Sequence, residues 1–117
     1  MTDEPLQWSV WLVDLSPVVG SEQAGRRPVV VVSREAANAR LPVVTAVPLT
    51  SRKAGRRVYP NEALIPEGSG GIARESVAMA HQVRTVSKQR LARRLGSFDN
   101  DAVREAIRLA LRIQLDL

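Results

Sequence analysis

Two short segments of the chain carry side chains suited to binding a phosphate group. Arg26 and Arg27 stand directly before Pro28, where an apolar run begins. Thr50 and Ser51 directly follow a second apolar run. A guanidinium offers a planar fork of donors that matches phosphate oxygens, and a hydroxyl can donate to the same oxygens. Because both segments adjoin predicted buried strands, a rigid backbone could hold these groups in place, although neither spacing is diagnostic alone.

The composition excludes several other kinds of active site. The 117 residues include no Cys and a single His, His81. Zinc fingers, thiolate nucleophiles, two-histidine metal clusters and two-histidine ribonuclease sites are therefore excluded within one protomer. His81 is a candidate general base, but a lone His in a strand more often makes structural hydrogen bonds. We expect neither a metal nor a cofactor.

The charge distribution favours a polyanionic or acidic partner. The formal net charge is +5, and 15 of the 17 basic residues are Arg. Residues 1–25 carry −4, whereas residues 26–57 carry +7 and residues 84–94 carry +5. The second basic block fits either a surface that attracts a nucleic-acid backbone or a solvated helix face. Its basic residues are Arg84, Lys88, Arg90, Arg93 and Arg94.

The length and the turn residues predict one domain, residues 1–117, built from short strands. Apolar and β-branched runs predict strands over residues 10–13, 28–33, 43–49, 62–65 and 76–83. No apolar stretch is long enough to span a bilayer, and the acidic first residues are unlike a signal peptide, so we expect a cytoplasmic protein.

The last part of the chain has a different periodicity. Asp99 can cap a helix, and apolar residues then recur at spacings of three and four: Val103, Ala106, Ile107, Ala110, Ile113 and Leu117. This pattern predicts an amphipathic C-terminal helix. The expected architecture is a small twisted sheet that closes into a partial barrel, with this helix packed on it.

Several segments in order resemble the MazF/PemK toxins, the sequence-specific endoribonucleases of bacterial toxin–antitoxin systems. The similarity begins with residues 10–23, 25–33 and 48–51, and it continues through residues 59–62, 74–78 and 81–91. One departure lies before the first strand, where Trp8-Ser9 replaces a common Gly-Asp pair. Several motifs in order are far more specific than one short pattern.

The resemblance implies an SH3-like partial barrel, a homodimer and metal-independent cleavage of single-stranded RNA. It places the family's catalytic Arg, the one directly before Pro, at Arg27 and its catalytic Thr at Thr50. It also implies a cognate antitoxin whose acidic C-terminal segment competes with RNA. The RNA-contacting positions that it implies are Ser21, Gln23, Arg26, Ser51, Gln82 and Arg84.

Without a metal, RNA cleavage requires attack by the 2′-hydroxyl on the adjacent phosphate and donors that hold the developing charge. A guanidinium stays protonated in water, so we expect Arg27 to clamp the phosphate and to be available as the proton donor for the leaving 5′-oxygen. Thr50 would hydrogen-bond the phosphate and orient the attacking hydroxyl. The expected products carry a 2′,3′-cyclic phosphate and a 5′-hydroxyl.

Two other functions fit parts of the sequence. One is a non-catalytic topoisomerase poison related to the CcdB toxins, but a Trp-Gly-Ile terminus is expected there, and this chain ends Gln114-Leu115-Asp116-Leu117. The other is a basic RNA-binding module without catalytic activity. Scission of RNA, binding without scission, or inhibition of gyrase would distinguish the three functions.

Overall fold

The computed structural model describes residues 4–15 and 25–117. Their seven strands are β1 (Ser9–Asp14), β2 (Arg26–Val31), β3 (Val43–Ser51), β4 (Glu62–Ile65), β5 (Ser76–Met79), β6 (Arg84–Ser87) and β7 (Arg93–Ser97). Their two α-helices are α1 (Glu35–Arg40) and α2 (Asp101–Leu115). Short 3-10 turns cover Ser69–Gly71, Ala80–Gln82 and Lys88–Arg90.

Strand β3 joins the two parts of an antiparallel sheet. Its first part pairs with β2 and β6, and its last three residues pair with β5. The strand order is β4-β5-β3-β2-β1-β7, with β6 also paired to β3. Because one strand changes partners along its length, the sheet bends around its core. The predicted β-rich partial barrel with a C-terminal helix is confirmed.

Two apolar clusters occupy the two faces of the central strands. Val10, Val30 and Val47 belong to the larger cluster, which also includes buried residues of β4, β5 and α2. Val13 and Val29 belong to the smaller cluster, together with residues at the start of β3. Side chains alternate between the two faces of a strand, so the apolar run of β2 has a core on both sides.

Several predicted boundaries differ from the structure. The second strand begins at Arg26 rather than at Pro28, because its pairing with β1 extends to the Asp14–Arg26 pair. The strand predicted over residues 76–83 ends at Met79, where a 3-10 turn begins. The alternative prediction of a solvated helix face over residues 84–94 is wrong, since β6, a 3-10 turn and the start of β7 lie there. Helix α1 was not predicted.

Helix α2 begins one residue later than expected. Asn100, not Asp99, is its N-cap, and the Asn100 side chain accepts a hydrogen bond of 2.7 Å from the N–H of Ala102. Side-chain oxygens at this position satisfy N–H groups that have no partner within the helix. The buried face consists of Val103, Ile107 and Ala110. The apolar stripe does not stay buried to its end, because Ile113 and Leu117 are exposed.

Trp8 fixes the entrance to β1 in a left-handed conformation, with φ of +70°. Its N–H donates to the carbonyl of Val31 at 2.7 Å, and its carbonyl accepts from the N–H of Phe98 at 2.9 Å. The indole is buried and lies under the guanidinium groups of Arg104 and Arg108, at 5.6 and 5.1 Å from the ring centroid. Packing of the indole therefore offsets a backbone strain of roughly 1 to 2 kcal/mol.

We expect the Trp8→Gly variant to be more stable than the Trp8→Ala variant, although Gly ordinarily gives a less stable protein than Ala at an ordered position. Both variants lose the indole packing, at a cost of about 3 to 5 kcal/mol. Only Gly relieves the left-handed strain, which returns about 1 kcal/mol. Urea unfolding of both variants measures the difference. A Gly variant less stable than the Ala variant would contradict the proposed strain.

Candidate active site

The pairing between β2 and β3 brings the two polar segments together. Val31 pairs with Ala46, Val30 with Val47 and Val29 with Pro48. Continuing this register by two residues sets Arg27 opposite Thr50. Paired residues of antiparallel strands project from the same face of the sheet.

The ladder between these strands stops before it reaches that pair. Pro48 has no N–H to donate, and beyond it β3 is paired on its other edge alone, with β5, where Thr50 lies opposite Val77 and Ser51 opposite Ser76. The ends of β2 and β3 therefore diverge instead of closing against each other. The divergence leaves a cavity of about 290 Å³ between them.

Arg27 and Thr50 both line this cavity, which we call the Arg27–Thr50 cavity. Arg26 and Ser51 line it as well. Arg26 and Arg27 are exposed, whereas Thr50 is half-buried. Four of the eight residues predicted for the site therefore share one cavity, and guanidinium and hydroxyl donors surround a space open to solvent.

The cavity contains a further guanidinium that the sequence analysis did not select. Arg74 lines it from the segment before β5 and makes no ion pair with any described residue. The neighbouring carboxylate of Glu75 is bound by Arg52 at 3.1 Å. The resemblance included residues 74–78, but no property of this surface Arg distinguished it from the other basic residues.

A glycine-rich turn supplies another wall of the cavity. Gly71 has φ of +80°, and a Cβ atom on it would lie 2.0 Å from the carbonyl oxygen of Leu95. Only Gly allows the turn to approach β7 this closely. Gly71 and Leu95 both line the Arg27–Thr50 cavity. This turn, which follows β4, therefore shapes the site.

A buried ion pair fixes the loop that follows β3. The Arg56 guanidinium donates to both carboxylate oxygens of Glu62, at 3.1 and 2.7 Å, and the Glu62 side chain is 2% exposed. These hydrogen bonds hold the pKa of Glu62 below its ordinary value of 4.5, although burial acts in the opposite direction, and the N–H of Tyr59 adds to the lowering. The Arg52 guanidinium also donates to the carbonyl of Arg56 at 2.9 Å, so hydrogen bonds hold the loop near its beginning as well as at Glu62.

The other predicted site residues do not line the Arg27–Thr50 cavity. Ser21 and Gln23 lie outside the described residues. Gln82 is half-buried in the 3-10 turn after β5, and Arg84 begins β6, where it pairs with Ala46. His81 is exposed on the same 3-10 turn as Gln82, and it does not line the cavity either.

The described parts of the chain contain no cluster of three or more His, Cys, Asp or Glu side chains that could hold a metal ion. Within the same residues, no helix is both long and apolar enough to cross a membrane.

The family can be assigned from a match that covers nearly the whole chain. A family model described as the PemK-like, MazF-like toxin of type II toxin–antitoxin systems matches residues 6–115. The chain belongs to this family. The resemblance carried by the sequence motifs is thereby confirmed.

Individual relatives agree with this assignment. The endoribonuclease MazF9 of Mycobacterium tuberculosis is 37% identical over 113 residues, covering 92% of this chain and 93% of the relative. The endoribonuclease EndoA of Bacillus subtilis is 36% identical over 105 residues, covering 87% of this chain and 90% of the relative. A solved mycobacterial endoribonuclease in complex with its cognate antitoxin superposes with a TM-score of 0.79, at 28% identity, covering 97% of both chains.

Removing the Glu62 charge should destabilise the fold in a pH-dependent way. At pH 7 we expect Glu62→Gln to lower the free energy of unfolding by about 1 to 3 kcal/mol, because Arg56 loses its buried partner. The folded state lowers the Glu62 pKa, so the stabilisation exists above pH 4.5 and is lost as the pH falls through the lower folded-state value.

Urea unfolding of the unaltered protein and of Glu62→Gln at pH 7 and at pH 3 measures the loss of stability and its dependence on pH. The matched control is Glu75→Gln, which removes the more exposed ion pair with Arg52 and should cost less than about 1 kcal/mol. An equal loss for Glu62→Gln at both pH values would contradict the proposed origin of the stabilisation.

Proposed function

We propose that this chain is the toxin of a type II toxin–antitoxin system and cleaves single-stranded RNA at a specific sequence without a metal ion. One observation carries the proposal: Arg27 and Thr50 reach the same cavity from different strands. The names of the relatives as endoribonucleases support the activity. Residues 1–117 would form one catalytic domain.

The geometry favours charge stabilisation as the main source of catalysis. Arg26, Arg27 and Arg74 surround the position proposed for the scissile phosphate. The 2′-hydroxyl loses its proton to solvent and attacks phosphorus, the bond to the 5′-oxygen breaks, and that oxygen gains a proton. Preorganised guanidinium groups stabilise the extra negative charge of the pentavalent intermediate, and Arg27 would donate the proton to the leaving oxygen.

Thr50 has a complementary role in this mechanism. It lies at the end of β3, where pairing with Val77 of β5 fixes the backbone. Its hydroxyl can donate to a phosphate oxygen while Ser51 lies on the adjacent wall. Thr50 would thus hold the phosphate so that the 2′-hydroxyl lies in line with the leaving oxygen. The products carry a 2′,3′-cyclic phosphate and a 5′-hydroxyl.

Base recognition in this protein would depend mainly on hydrogen bonds to base edges. Trp8 and Phe98 are buried, and Trp11 is half-buried and has the Arg94 guanidinium over its ring. Tyr59 is 51% exposed but has the Arg57 guanidinium over its ring at 5.1 Å. Few aromatic faces are thus available for stacking on bases. Ser21, Gln23 and Gln82 remain candidates for RNA contacts.

The proposed partners are an antitoxin with an acidic C-terminal segment and a second copy of this chain. The acidic segment would compete with RNA for the guanidinium groups. A solved endoribonuclease similar to this chain is in complex with its cognate antitoxin, which supports the first partner. Exposed Leu64, Leu109 and Ile113 support a homodimer, which light scattering would detect. We place the protein in the cytoplasm.

Arg27→Ala and Thr50→Ala should each lower RNA cleavage by about 10²- to 10³-fold, because each removes a donor to the developing charge. The measurement is cleavage of a long single-stranded RNA in excess EDTA, with sequencing of fragment 5′ ends to define the recognition sequence. Arg40→Ala removes an exposed charge on α1 and should change little. Unchanged turnover in Arg27→Ala would contradict the assigned role.

The same incubation separates the alternatives. Binding of RNA without scission by the unaltered protein would favour a binding module. Absence of any effect on RNA, together with inhibition of gyrase, would favour the topoisomerase poison.

Arg74→Ala should reduce cleavage by about tenfold, because it removes one of several positive charges around the phosphate. Arg74→Lys should recover part of the loss, since it restores the charge without the planar fork. Initial rates under the same conditions measure both variants. Wild-type rates in Arg74→Ala would show that this side chain does not face the substrate.

A further inference from the structure

Two arginines are shared between neighbouring cavities. Arg26 lines the Arg27–Thr50 cavity and also a cavity of about 430 Å³, which we call the Arg26–Arg93 cavity. Arg90 lines the Arg26–Arg93 cavity and also a cavity of about 250 Å³ beside β6, which we call the Arg84–Arg90 cavity. The three cavities therefore form a connected series that begins at the proposed catalytic residues.

Strand pairing explains how the middle cavity is built. Strand β1 lies between β2 and β7, with Asp14 opposite Arg26 and Leu12 opposite Arg93. Arg26 and Arg93 therefore flank the end of β1 from its two sides. Arg90 reaches the same place from the 3-10 turn before β7, and its guanidinium donates to the carbonyl of Asp14 at 3.3 Å.

The series is strongly basic along its whole length. Asp14 is the single acidic residue among the described residues that line the three cavities. Six arginines line them: Arg26, Arg27, Arg74, Arg84, Arg90 and Arg93. Such an excess attracts a polyanion, and planar guanidinium groups match the oxygens of successive phosphates.

We propose that this series is the track followed by the RNA strand beyond the cleaved bond. Phosphates contact Arg26, Arg93, Arg90 and Arg84 in turn, and one nucleotide occupies the Arg26–Arg93 cavity. The proposal rests on the proposed function, because it takes the phosphate at Arg27 as its starting point. It assigns RNA binding to Arg90 and Arg93, and it explains how Arg84 can contact RNA while lying outside the Arg27–Thr50 cavity.

The walls of the middle cavity favour a nucleotide over an acidic peptide. Leu12 and Ala92 provide apolar surface between the guanidinium groups. A nucleotide has the same arrangement, because an apolar base face adjoins a phosphate. A volume of about 430 Å³ also lies within the range of about 300 to 1,000 Å³ that is usual for small-ligand sites.

Binding of two RNAs that cannot be cleaved tests the track. Both carry a 2′-deoxy nucleotide at the cleavage position, which removes the attacking hydroxyl. The short RNA fills only the Arg27–Thr50 cavity, and the long RNA extends by several nucleotides on each side. Arg90→Ala and Arg93→Ala should each weaken binding of the long RNA about three- to tenfold more than binding of the short RNA.

The salt dependence of binding provides a second readout. For the long RNA, each of these variants should reduce the slope of log affinity against log salt concentration by about 0.7, the value for one phosphate contact on a single strand. Arg93→Lys should retain most of the slope, because it keeps the charge. Arg40→Ala removes the same charge from α1 and should change neither the affinity nor the slope.

The outcomes separate the track from the proposed function. Three results would overturn the track. The variants could weaken binding of the long and the short RNA equally, they could leave the salt slope unchanged as Arg40→Ala does, or they could weaken binding of the acidic antitoxin but not of RNA. RNA cleavage by the unaltered protein would still support the proposed function in each of those cases. If the unaltered protein cleaves no RNA, the proposed function fails whatever the Arg90 and Arg93 variants show.

Discussion

The antiparallel pairing of β2 with β3, and its end at Pro48, is the constraint on which the site depends. The register Val29–Pro48 sets Arg27 toward Thr50, and the missing N–H at Pro48 coincides with the point where the ladder stops. Continued pairing would close the two strand ends against each other. Because the β2–β3 ladder ends there while β3 continues beside β5 on its other edge, a cavity opens with a guanidinium on one side and a hydroxyl on the other.

Several contacts hold the elements around this cavity in shape. The Arg56–Glu62 pair and Arg52 fix the loop after β3, and Gly71 lets a turn approach β7 so closely that Leu95 becomes part of the wall. Charge-assisted hydrogen bonds to a buried carboxylate are strong because water cannot compete for it. A site that works by preorganised charge needs this rigidity, since misplaced donors stabilise a developing charge poorly.

The sequence predicted the strands and the C-terminal helix where apolar periodicity was continuous, and it failed where tertiary pairing decided the structure. Residues 84–94 contain five basic side chains and read as a possible helix face, yet β6 forms there because β3 supplies a partner. Strand propensity depends on such neighbours. The short helix α1 has no apolar stripe that could have revealed it.

The candidate site was predictable to the extent that motifs in the sequence matched a family. Arg27 and Thr50 were selected in that way, and the register of β2 and β3 supplies the physical reason why they meet. Arg74 was not selected, because only the folded chain brings it to the same cavity. Trp8 was noticed in the sequence because it stands in an unusual place before β1. Its left-handed backbone conformation could be found only in the structure.

The most direct test of the account is a double-mutant cycle on Arg27 and Thr50, measured as kcat/KM for one defined RNA in EDTA. Two groups that act on the same phosphate should be coupled, so the Arg27→Ala/Thr50→Ala variant should lose much less activity than the product of the two single losses. If the double variant instead loses activity by the product of the two single losses, the two side chains act independently. That result would contradict their convergence on one phosphodiester.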